Sequence, residues 1–333
     1  MILVTGGAGY IGSHCVMALL EKGYQVVIFD NLSTGHIETV NTLKNIGNVK
    51  FVEGDLREFE QINSVFMDRI EAVIHFAAYS QVGESVINPG KYYRNNVLGT
   101  LNLLDAMRRN GVNKIVFSST AATYGEPVRI PIDETHPQNP INPYGQSKLM
   151  IEKIMDDYDK AYDLKSVRLR YFNVAGADSN CRIGEWHDPE THLIPNILKS
   201  TFSGGQRFKM FGTDYNTKDG TCVRDYINVE DLAAAHLLAL NYLMNGGETN
   251  FFNLGTGDGN TVKEVFNTCE TVTGKEIAVD EMNRREGDPA SLIADNTRAK
   301  NILGWEPSKT LEQSIATAYN WEKILNERLT TKI

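Results

Sequence analysis

The sequence has little of what marks several large classes of protein. Its 333 residues include only four cysteines, which lie far apart and form no Cys-x-x-Cys pair, so neither a disulfide framework nor a cysteine zinc site is indicated. No apolar run approaches the roughly 20 residues of a membrane-spanning helix, and no cationic leader precedes the first apolar residues. We therefore expect a cytoplasmic protein with reduced thiols and no membrane contact.

An excess of positive charge is also missing. The formal net charge is −9, and the lysines and arginines are scattered along the chain instead of forming basic runs. A nucleic-acid surface needs a concentrated basic patch, so we expect no nucleic-acid partner. Any phosphate-containing ligand would have to be bound by a few local cations and backbone amides.

The most informative segment is ILVTGGAGYIG, residues 2–12, in which an apolar run leads into glycines at Gly6, Gly9 and Gly12. A helical pattern follows, and this strand–glycine–helix order is typical of a pyrophosphate-binding turn. A second apolar run ends at Asp30. A carboxylate at that position binds ribose hydroxyls and repels a 2′-phosphate, which favours NAD over NADP.

Short apolar runs alternate with helix-length amphipathic stretches as far as Asn173. This pattern predicts an α/β fold with a Rossmann-type, doubly wound parallel sheet over residues 1–173. Residues 174–333 are then expected to form mainly a smaller substrate domain, with parts of about 222–250 packing back on the first domain. Ligands of such sheets bind at the carboxyl ends of the strands. The predicted strand ends are Asp55, Phe76 to Ser80, Ser118 to Thr120 and Tyr171 to Asn173.

A second motif, YGQSK, places Tyr144 and Lys148 one helical turn apart. A cation about 4 Å from the phenol would lower the pKa of Tyr144 and suit it to acid–base catalysis. Residues 118–120 can offer a hydroxyl beside it. Tyr319 and Lys323 have the same spacing, but no hydroxyl-rich strand end accompanies them, so we interpret that pair as packing or surface.

Two further motifs invite a ligand that we do not predict. His187, Asp188, Glu190 and His192 resemble metal ligands, but they lack the HExxH helix spacing and enclose Pro189, so we predict no metal site. The glycine-rich stretch before Val262 resembles a phosphate loop. Thr261 and Glu264 have the spacing of a capping box, which explains a helix start without any ligand.

Together these motifs resemble the extended short-chain dehydrogenase/reductase family over essentially the whole chain. The strings RYFNVAGA (170–177), THLIPNIL (191–198), DGTCVRDYINVEDLA (219–233) and RREGDPA (284–290) are similar to the members that epimerise UDP-hexoses at C4. The resemblance implies an NAD-dependent isomerase of galactose metabolism. It would interconvert UDP-glucose and UDP-galactose through a 4-keto intermediate, and would also act on UDP-N-acetylglucosamine and UDP-N-acetylgalactosamine. It further implies a homodimer paired through helices around residues 92–109 and 144–162.

The resemblance also implies roles for individual residues. Tyr144 would be the base for the 4-hydroxyl, Lys148 would lower its pKa and bind the nicotinamide ribose, and Thr120 would orient the sugar. The implied cofactor residues are Gly6, Gly9, Tyr10, Ile11, Gly12, Asp30, Asn31, Asp55, Leu56, Phe76, Ala77, Ser80, Asn95, Tyr144, Lys148 and Phe172. The implied substrate residues are Thr120, Tyr144, Asn173, His192, Leu193, Phe211, Arg224, Arg285, Asp288 and Leu292.

The chain departs from the family pattern at two of these positions. Ser80 stands where the family often has lysine, which removes a cationic contact to the cofactor, and His192 stands where relatives often have asparagine. Leu292 is of intermediate size at a position near the sugar, which is why the N-acetylated substrates are expected.

Alternative interpretations exist for the residues and for the whole chain. Taken alone, Arg224 and Arg285 would be interpreted as surface ion-pair partners of Asp225 and Glu286, respectively. A 4,6-dehydratase would carry an Asp-Glu pair where this chain has Ala121 and Ala122. A reductase using NADPH is disfavoured by Asp30, and a non-catalytic dinucleotide sensor is countered by the complete set of Thr120, Tyr144 and Lys148.

Overall fold

The computed structural model describes residues 1–202, 207–285 and 288–331. The strands are β1 (Ile2–Thr5), β2 (Val26–Asp30), β3 (Val49–Glu53), β4 (Ala72–His75), β5 (Lys114–Thr120), β6 (Lys165–Tyr171), β7 (Asn173–Ala175), β8 (Phe208–Phe211), β9 (Val223–Asn228), β10 (Asn250–Leu254), β11 (Gly259–Thr261), β12 (Val279–Met282) and β13 (Ser291–Leu292).

The α-helices are α1 (Tyr10–Glu21), α2 (Ile37–Lys44), α3 (Phe59–Val65), α4 (Val82–Ile87), α5 (Pro89–Tyr92), α6 (Gly99–Arg109), α7 (Pro143–Tyr162), α8 (Leu193–Lys199), α9 (Val229–Met244), α10 (Val262–Thr273), α11 (Thr297–Leu303) and α12 (Leu311–Thr331). A π-helix over Tyr93–Leu98 joins α5 to α6, and a 3-10 turn over Ala121–Thr123 follows β5. No helix in the described ranges combines the length and apolarity needed to cross a bilayer.

The core of the molecule is a seven-stranded sheet in the order β10-β6-β5-β4-β1-β2-β3, with every pair parallel. Every residue of β1, β2 and β4 is buried, because helices cover both faces of the sheet. One apolar core packs the sheet against α1 and α9, and another packs it against α3, α6 and α7. The predicted Rossmann-type α/β fold is confirmed.

The second half of the chain does two things. It builds a small sheet from β7, β9, β11 and β13 and a pair from β8 and β12, which cover the rim of the large sheet. It also returns to the large sheet, where β10 pairs with β6 and α9 packs on α1. The assignment of residues 174–333 as mainly a substrate domain stays a prediction.

A buried ion pair joins α7 to the sheet. Arg170 of β6 donates to both carboxylate oxygens of Glu152, and the side chains are only 4% and 3% exposed. Ser119 also donates to Glu152, and Arg170 donates to the Tyr124 hydroxyl, which in turn donates to Asn253. Although burial disfavours its charge, Arg170 holds the pKa of Glu152 below its ordinary value. The pair therefore fixes α7 against β5 and β6.

Replacing Glu152→Gln should be strongly destabilising, because the guanidinium of Arg170 would remain buried without a counter-charge. We expect a loss of about 3–5 kcal/mol in the free energy of unfolding. The matched control is Asp68→Asn, which breaks the exposed pair with Lys50 and should change stability by less than about 1 kcal/mol. Urea unfolding at pH 7 measures both, and equal losses would contradict the assignment.

Candidate active site

The turn between β1 and α1 is tight at two of its glycines. Gly6 has a φ of +73°, and a Cβ added there would lie 2.6 Å from the backbone nitrogen of Ala77 after β4. A Cβ on Gly12 would lie 2.2 Å from the Gly6 carbonyl oxygen. At Gly9 the nearest atom would be 3.5 Å away. The turn is therefore pressed against the sheet, and its exposed side leaves space for a phosphate group.

Asp30 lies at the end of β2, beside this turn. Its carboxylate accepts hydrogen bonds from the backbone amide of Ala8 at 3.0 Å and from that of Leu32 at 2.9 Å. Burial raises the pKa of Asp30, while these two bonds oppose the shift. The amides hold the carboxylate at the mouth of the glycine turn, where a ribose could reach it.

Asp55, after β3, carries a partner that the sequence reasoning missed. Arg57 donates to both oxygens of Asp55, at 2.9 and 2.6 Å, and Asn31 donates to one of them at 3.1 Å. The bonds from Arg57 lower the pKa of Asp55 to about 2. Arg57 follows Asp55 by only two residues. This spacing allows an ion pair across a short turn, and it is the feature of the sequence that indicates the pair.

The three hydroxyls at the end of β5 have different roles. Ser118 bonds to the phenol of Tyr171, and Ser119 donates to buried Glu152. Thr120 accepts from the amide of Ala122 and also hydrogen-bonds to Tyr144. The sequence left open which of residues 118–120 offers a hydroxyl to Tyr144, and in the structure it is Thr120.

Tyr144 and Lys148 lie in the first two turns of α7, whose N-cap is Asn142. Burial raises the pKa of Tyr144, and the bond with Thr120 opposes that shift. This direction is opposite to the one we expected from the Tyr144–Lys148 spacing. The physical reason is that the Lys148 ammonium donates to the carbonyl of Ser118 at 2.7 Å, and burial lowers the pKa of Lys148 to about 7.

Asn96 is a buried positioning residue that the sequence did not reveal. Its side chain accepts from the amide of Tyr79 at 2.9 Å, and donates to the Tyr79 carbonyl at 3.0 Å and to Ser147 at 3.1 Å. It thereby ties the segment after β4 to α7. Its neighbour in the π-helix, Asn95, lines the cavity, and the expected contact of Asn95 with the cofactor stays a prediction.

Arg224 reaches the site from β9, and Arg285 reaches it from the segment between β12 and β13. Arg224 on β9 donates to the carbonyls of Val223 and Pro289 and lies 3.3 Å from the Asp288 carboxylate. The alternative partner Asp225 is buried and accepts bonds from the backbone amides of residues 256, 257 and 294. Arg224 therefore pairs with Asp288, and Asp225 has a structural role.

Arg285 stacks its guanidinium over the ring of Phe211, 4.1 Å from the centroid. Its alternative ion-pair partner Glu286 lies outside the described residues. The stacking places a cation and an aromatic ring from β8 side by side, a combination suited to a nucleotide.

All residues predicted to bind the cofactor or the substrate line one cavity of about 1300 Å³ between the large sheet and the loops of the second half. They are Gly6, Gly9, Tyr10, Ile11, Gly12, Asp30, Asn31, Asp55, Leu56, Phe76, Ala77, Ser80, Asn95, Thr120, Tyr144, Lys148, Phe172, Asn173, His192, Leu193, Phe211, Arg224, Arg285, Asp288 and Leu292. Their individual contacts with ligands remain predictions. A cavity of this volume exceeds that of a typical single-ligand pocket, so it has space for two ligands at once.

The chain is similar to known proteins over nearly its full length. The family described as GDP-mannose 4,6 dehydratase matches residues 3–318. The UDP-glucose 4-epimerase of Halalkalibacterium halodurans is 53% identical over 97% of this chain and 95% of its own. The chain belongs to the UDP-glucose 4-epimerase family.

Solved structures of this epimerase family agree with that assignment. The UDP-glucose 4-epimerase from Bifidobacterium longum, in complex with NAD⁺ and UDP, superposes with a TM-score of 0.92 at 39% identity, covering 97% of this chain and 98% of that one. The UDP-Glc/GlcNAc 4-epimerase from Campylobacter jejuni gives 0.85 at 43% identity, with coverage of 97% and 99%.

Proposed function

We propose that this chain is an NAD-dependent epimerase that interconverts UDP-glucose and UDP-galactose by inverting C4. The observation that carries the proposal is that Thr120, Tyr144 and Lys148 line the same cavity as the glycine turn and the two arginines, Arg224 and Arg285. An acid–base group thus faces a cavity with one end suited to a dinucleotide and the other to a nucleotide sugar. The epimerases among its relatives support the same activity.

The dinucleotide end fits NAD. The turn at Gly6 and Gly12 has no room for side chains, and Asp30 presents a carboxylate beside it. A 2′-phosphate would meet the negative charge of Asp30, so the residues fit NAD better than NADP. Bound there, NAD would supply an acceptor and donor of hydride for the sugar C4 and a positive charge on its nicotinamide ring.

The protein's own residues would handle the proton of the 4-hydroxyl. Tyr144 accepts that proton as the 4-keto sugar forms and returns it when the opposite epimer is made. Thr120, already bonded to Tyr144, orients the hydroxyl for the transfer. Because the pKa of Tyr144 is raised by burial, a positive charge in the cavity is needed to make the phenol a base at neutral pH.

The UDP end is proposed to lie against residues 174–333. Arg224 and Arg285 are suited to the diphosphate, and Phe211, Asn173, His192 and Leu193 line the cavity around them. A firmly held UDP leaves the hexose free to turn its other face to the cofactor. A 4,6-dehydratase is disfavoured because Ala121 and Ala122 follow Thr120 and supply no acid or base for eliminating water.

The purified protein should convert UDP-galactose into UDP-glucose without added NADH and without net change in nicotinamide absorbance at 340 nm. Tyr144→Phe should lower kcat by about 10²- to 10⁴-fold while leaving the fold and bound NAD intact. The matched control is Tyr319→Phe, the other tyrosine one turn before a lysine, which should keep the normal rate. A smaller loss in Tyr144→Phe, or an equal loss in both variants, would assign the base elsewhere.

Leu292 is proposed to set the tolerance for the substituent at C2. It is paired in register with Arg224 and packs at the edge of an apolar cluster that contains Ala121 and Phe172, next to Thr120. A leucine at position 292 is proposed to leave space beside the C2 substituent that a tyrosine side chain would fill. The similarity to the Campylobacter jejuni UDP-Glc/GlcNAc 4-epimerase supports activity on UDP-N-acetylglucosamine and UDP-N-acetylgalactosamine as well.

Leu292→Tyr should lower kcat/KM on the two N-acetylated sugars by about 10-fold or more, because its ring would clash with the larger substituent. UDP-glucose and UDP-galactose should be affected far less, since the UDP contacts are unchanged. Leu292→Met, which conserves volume, should keep all four activities. If Leu292→Tyr slows the four substrates equally, this residue does not control specificity.

We also propose a cytoplasmic homodimer. All four cysteines are unpaired, as expected in a reducing compartment. The π-helix packs on α7, and these elements expose Leu98, Met150 and Tyr162 by 44%, 36% and 51%. Apolar side chains on adjoining helices suit an isologous helix–helix interface. Light scattering at micromolar concentration should give twice the mass of the chain, and a monomeric mass would contradict the proposal.

A further inference from the structure

Four side chains of the loop before α8 converge on one point. They are Glu185, His187, Glu190 and His192, here called the Glu–His cluster, and one ligand atom from each lies within 4.8 Å of all the others. Nδ1 of His192 is 2.9 Å from Oε1 of Glu185 and 2.8 Å from Oε1 of Glu190. Nδ1 of His187 is 3.2 Å from Oε1 of Glu185 and 3.6 Å from Oε2 of Glu190.

The two carboxylates of the cluster are hidden from solvent, whereas the side chains of His187 and His192 are 25% and 48% exposed, and the cluster is incompletely hydrogen-bonded. The carboxylate-bearing side chains of Glu185 and Glu190 are 8% and 4% exposed. Glu190 Oε1 accepts from the amides of Thr191 and His192, whereas its buried Oε2 has no hydrogen-bond partner among the described residues. The same holds for the buried Nδ1 of His187. Both atoms are directed at the centre of the cluster.

We propose that the Glu–His cluster binds one divalent transition-metal cation of the Zn²⁺ class. Bonds of about 2.0–2.2 Å in a tetrahedron place neighbouring ligand atoms about 3.3–3.6 Å apart. The four separations above, 2.8 to 3.6 Å, run to both oxygens of Glu190. With one ligand atom per residue all four lie within 4.8 Å of one another, so side chains would shift by about 1 Å to reach that spacing. Two imidazoles and two carboxylates suit Zn²⁺, whereas Mg²⁺ and Ca²⁺ prefer sites made only of oxygen.

A cluster held together by protons alone is the competing interpretation. Burial disfavours charged imidazoles, but Glu185 and Glu190 outweigh it and raise the pKa of His187 to about 9 and that of His192 to about 10. Two imidazolium groups then balance two carboxylates. However, neither the 3.2 Å contact of His187 Nδ1 with Glu185 nor its 3.6 Å contact with Glu190 has hydrogen-bond geometry, so His187 Nδ1 and Glu190 Oε2 stay unpaired. A cation between them would bond to both.

The surroundings indicate a structural role for the cation. With four protein ligands the site is closed, which is typical of structural zinc. The ring edge of Tyr10, from the glycine turn, lies against His187, and His36 stacks on Trp186 within the same loop. The cation would therefore hold the loop of residues 185–192 against the turn. Lys199, whose ammonium is 3.9 Å from Glu190, is 36% exposed, so water screens its repulsion.

This inference replaces the expectation that no metal is bound. That expectation rested on the missing HExxH spacing and on Pro189, which exclude a helical site but not a site in a loop. It also left out Glu185, five residues before Glu190 in the sequence.

The test uses Zn²⁺ and Co²⁺ as probes and requires no measurement of activity. Tag-free protein is treated with EDTA and desalted, then titrated with Zn²⁺ by calorimetry, and bound metal is measured by atomic emission after gel filtration. We expect one equivalent per chain with a Kd of about 1 µM or tighter. Co²⁺ at the same site should show the strong visible absorption of tetrahedral coordination, and Zn²⁺ should abolish it.

Variants identify the ligands. His187→Gln and Glu190→Gln should each weaken Zn²⁺ binding by about a hundredfold or more, because each removes a direct ligand. Asp188→Asn, an exposed carboxylate of the same loop outside the cluster, should bind Zn²⁺ as the unaltered protein does. Circular dichroism checks that the variants fold. If a variant does not fold, the Co²⁺ spectrum of the unaltered chain still tests the proposal. Uptake well below one equivalent, an octahedral Co²⁺ spectrum, or unchanged affinity in both ligand variants would overturn the proposal.

Discussion

The contact on which the site depends most is the buried ion pair between Glu152 and Arg170. It joins α7 to β6, and through Ser119 it also reaches β5. Tyr144 and Lys148 lie on α7 and Thr120 ends β5, so this pair sets the distance between the proposed base and the hydroxyl that orients its substrate. Two charges as buried as these are stable only when they are paired and hydrogen-bonded, and Arg170 donates through all three of its side-chain nitrogens. The proposed catalytic groups thus lie on a helix and a strand, while the loops above them carry residues proposed to contact the substrate.

The electrostatics of the site depend on burial more than on the neighbouring charge. Burial raises the pKa of Tyr144 and lowers that of Lys148 to about 7, so both groups are shifted toward their neutral forms. The ammonium is held by the Ser118 carbonyl and lies over the ring of Phe117. A phenol in this environment becomes a base only when positive charge is added beside it. In the proposed mechanism, a positive charge at the dinucleotide end would therefore favour the ionised phenol.

Several local features were predicted from the sequence because they depend on residues close together in the chain. The glycine turn, Asp30 at the end of β2 and the alternation of strands and helices all belong to this group. Thr261 and Glu264 form the expected capping box at the start of α10, with both hydrogen bonds present. Parallel strands also bring their carboxyl ends to one edge, which is why residues from the ends of six strands, β1 to β6, line a single cavity.

What the sequence by itself determined was the Rossmann-type sheet, the residue types of the site and the family to which they belong. Only the tertiary structure decided which partner each side chain meets: Arg224 pairs with Asp288 instead of Asp225, Lys148 turns to Ser118, and Asn96 ties the segment after β4 to α7. It likewise decided that Glu185 completes the Glu–His cluster. Periodicity and motif spacing record the local path of the backbone. Hydrogen-bond partners depend on burial and on contacts between distant segments, which exist only once the chain has packed.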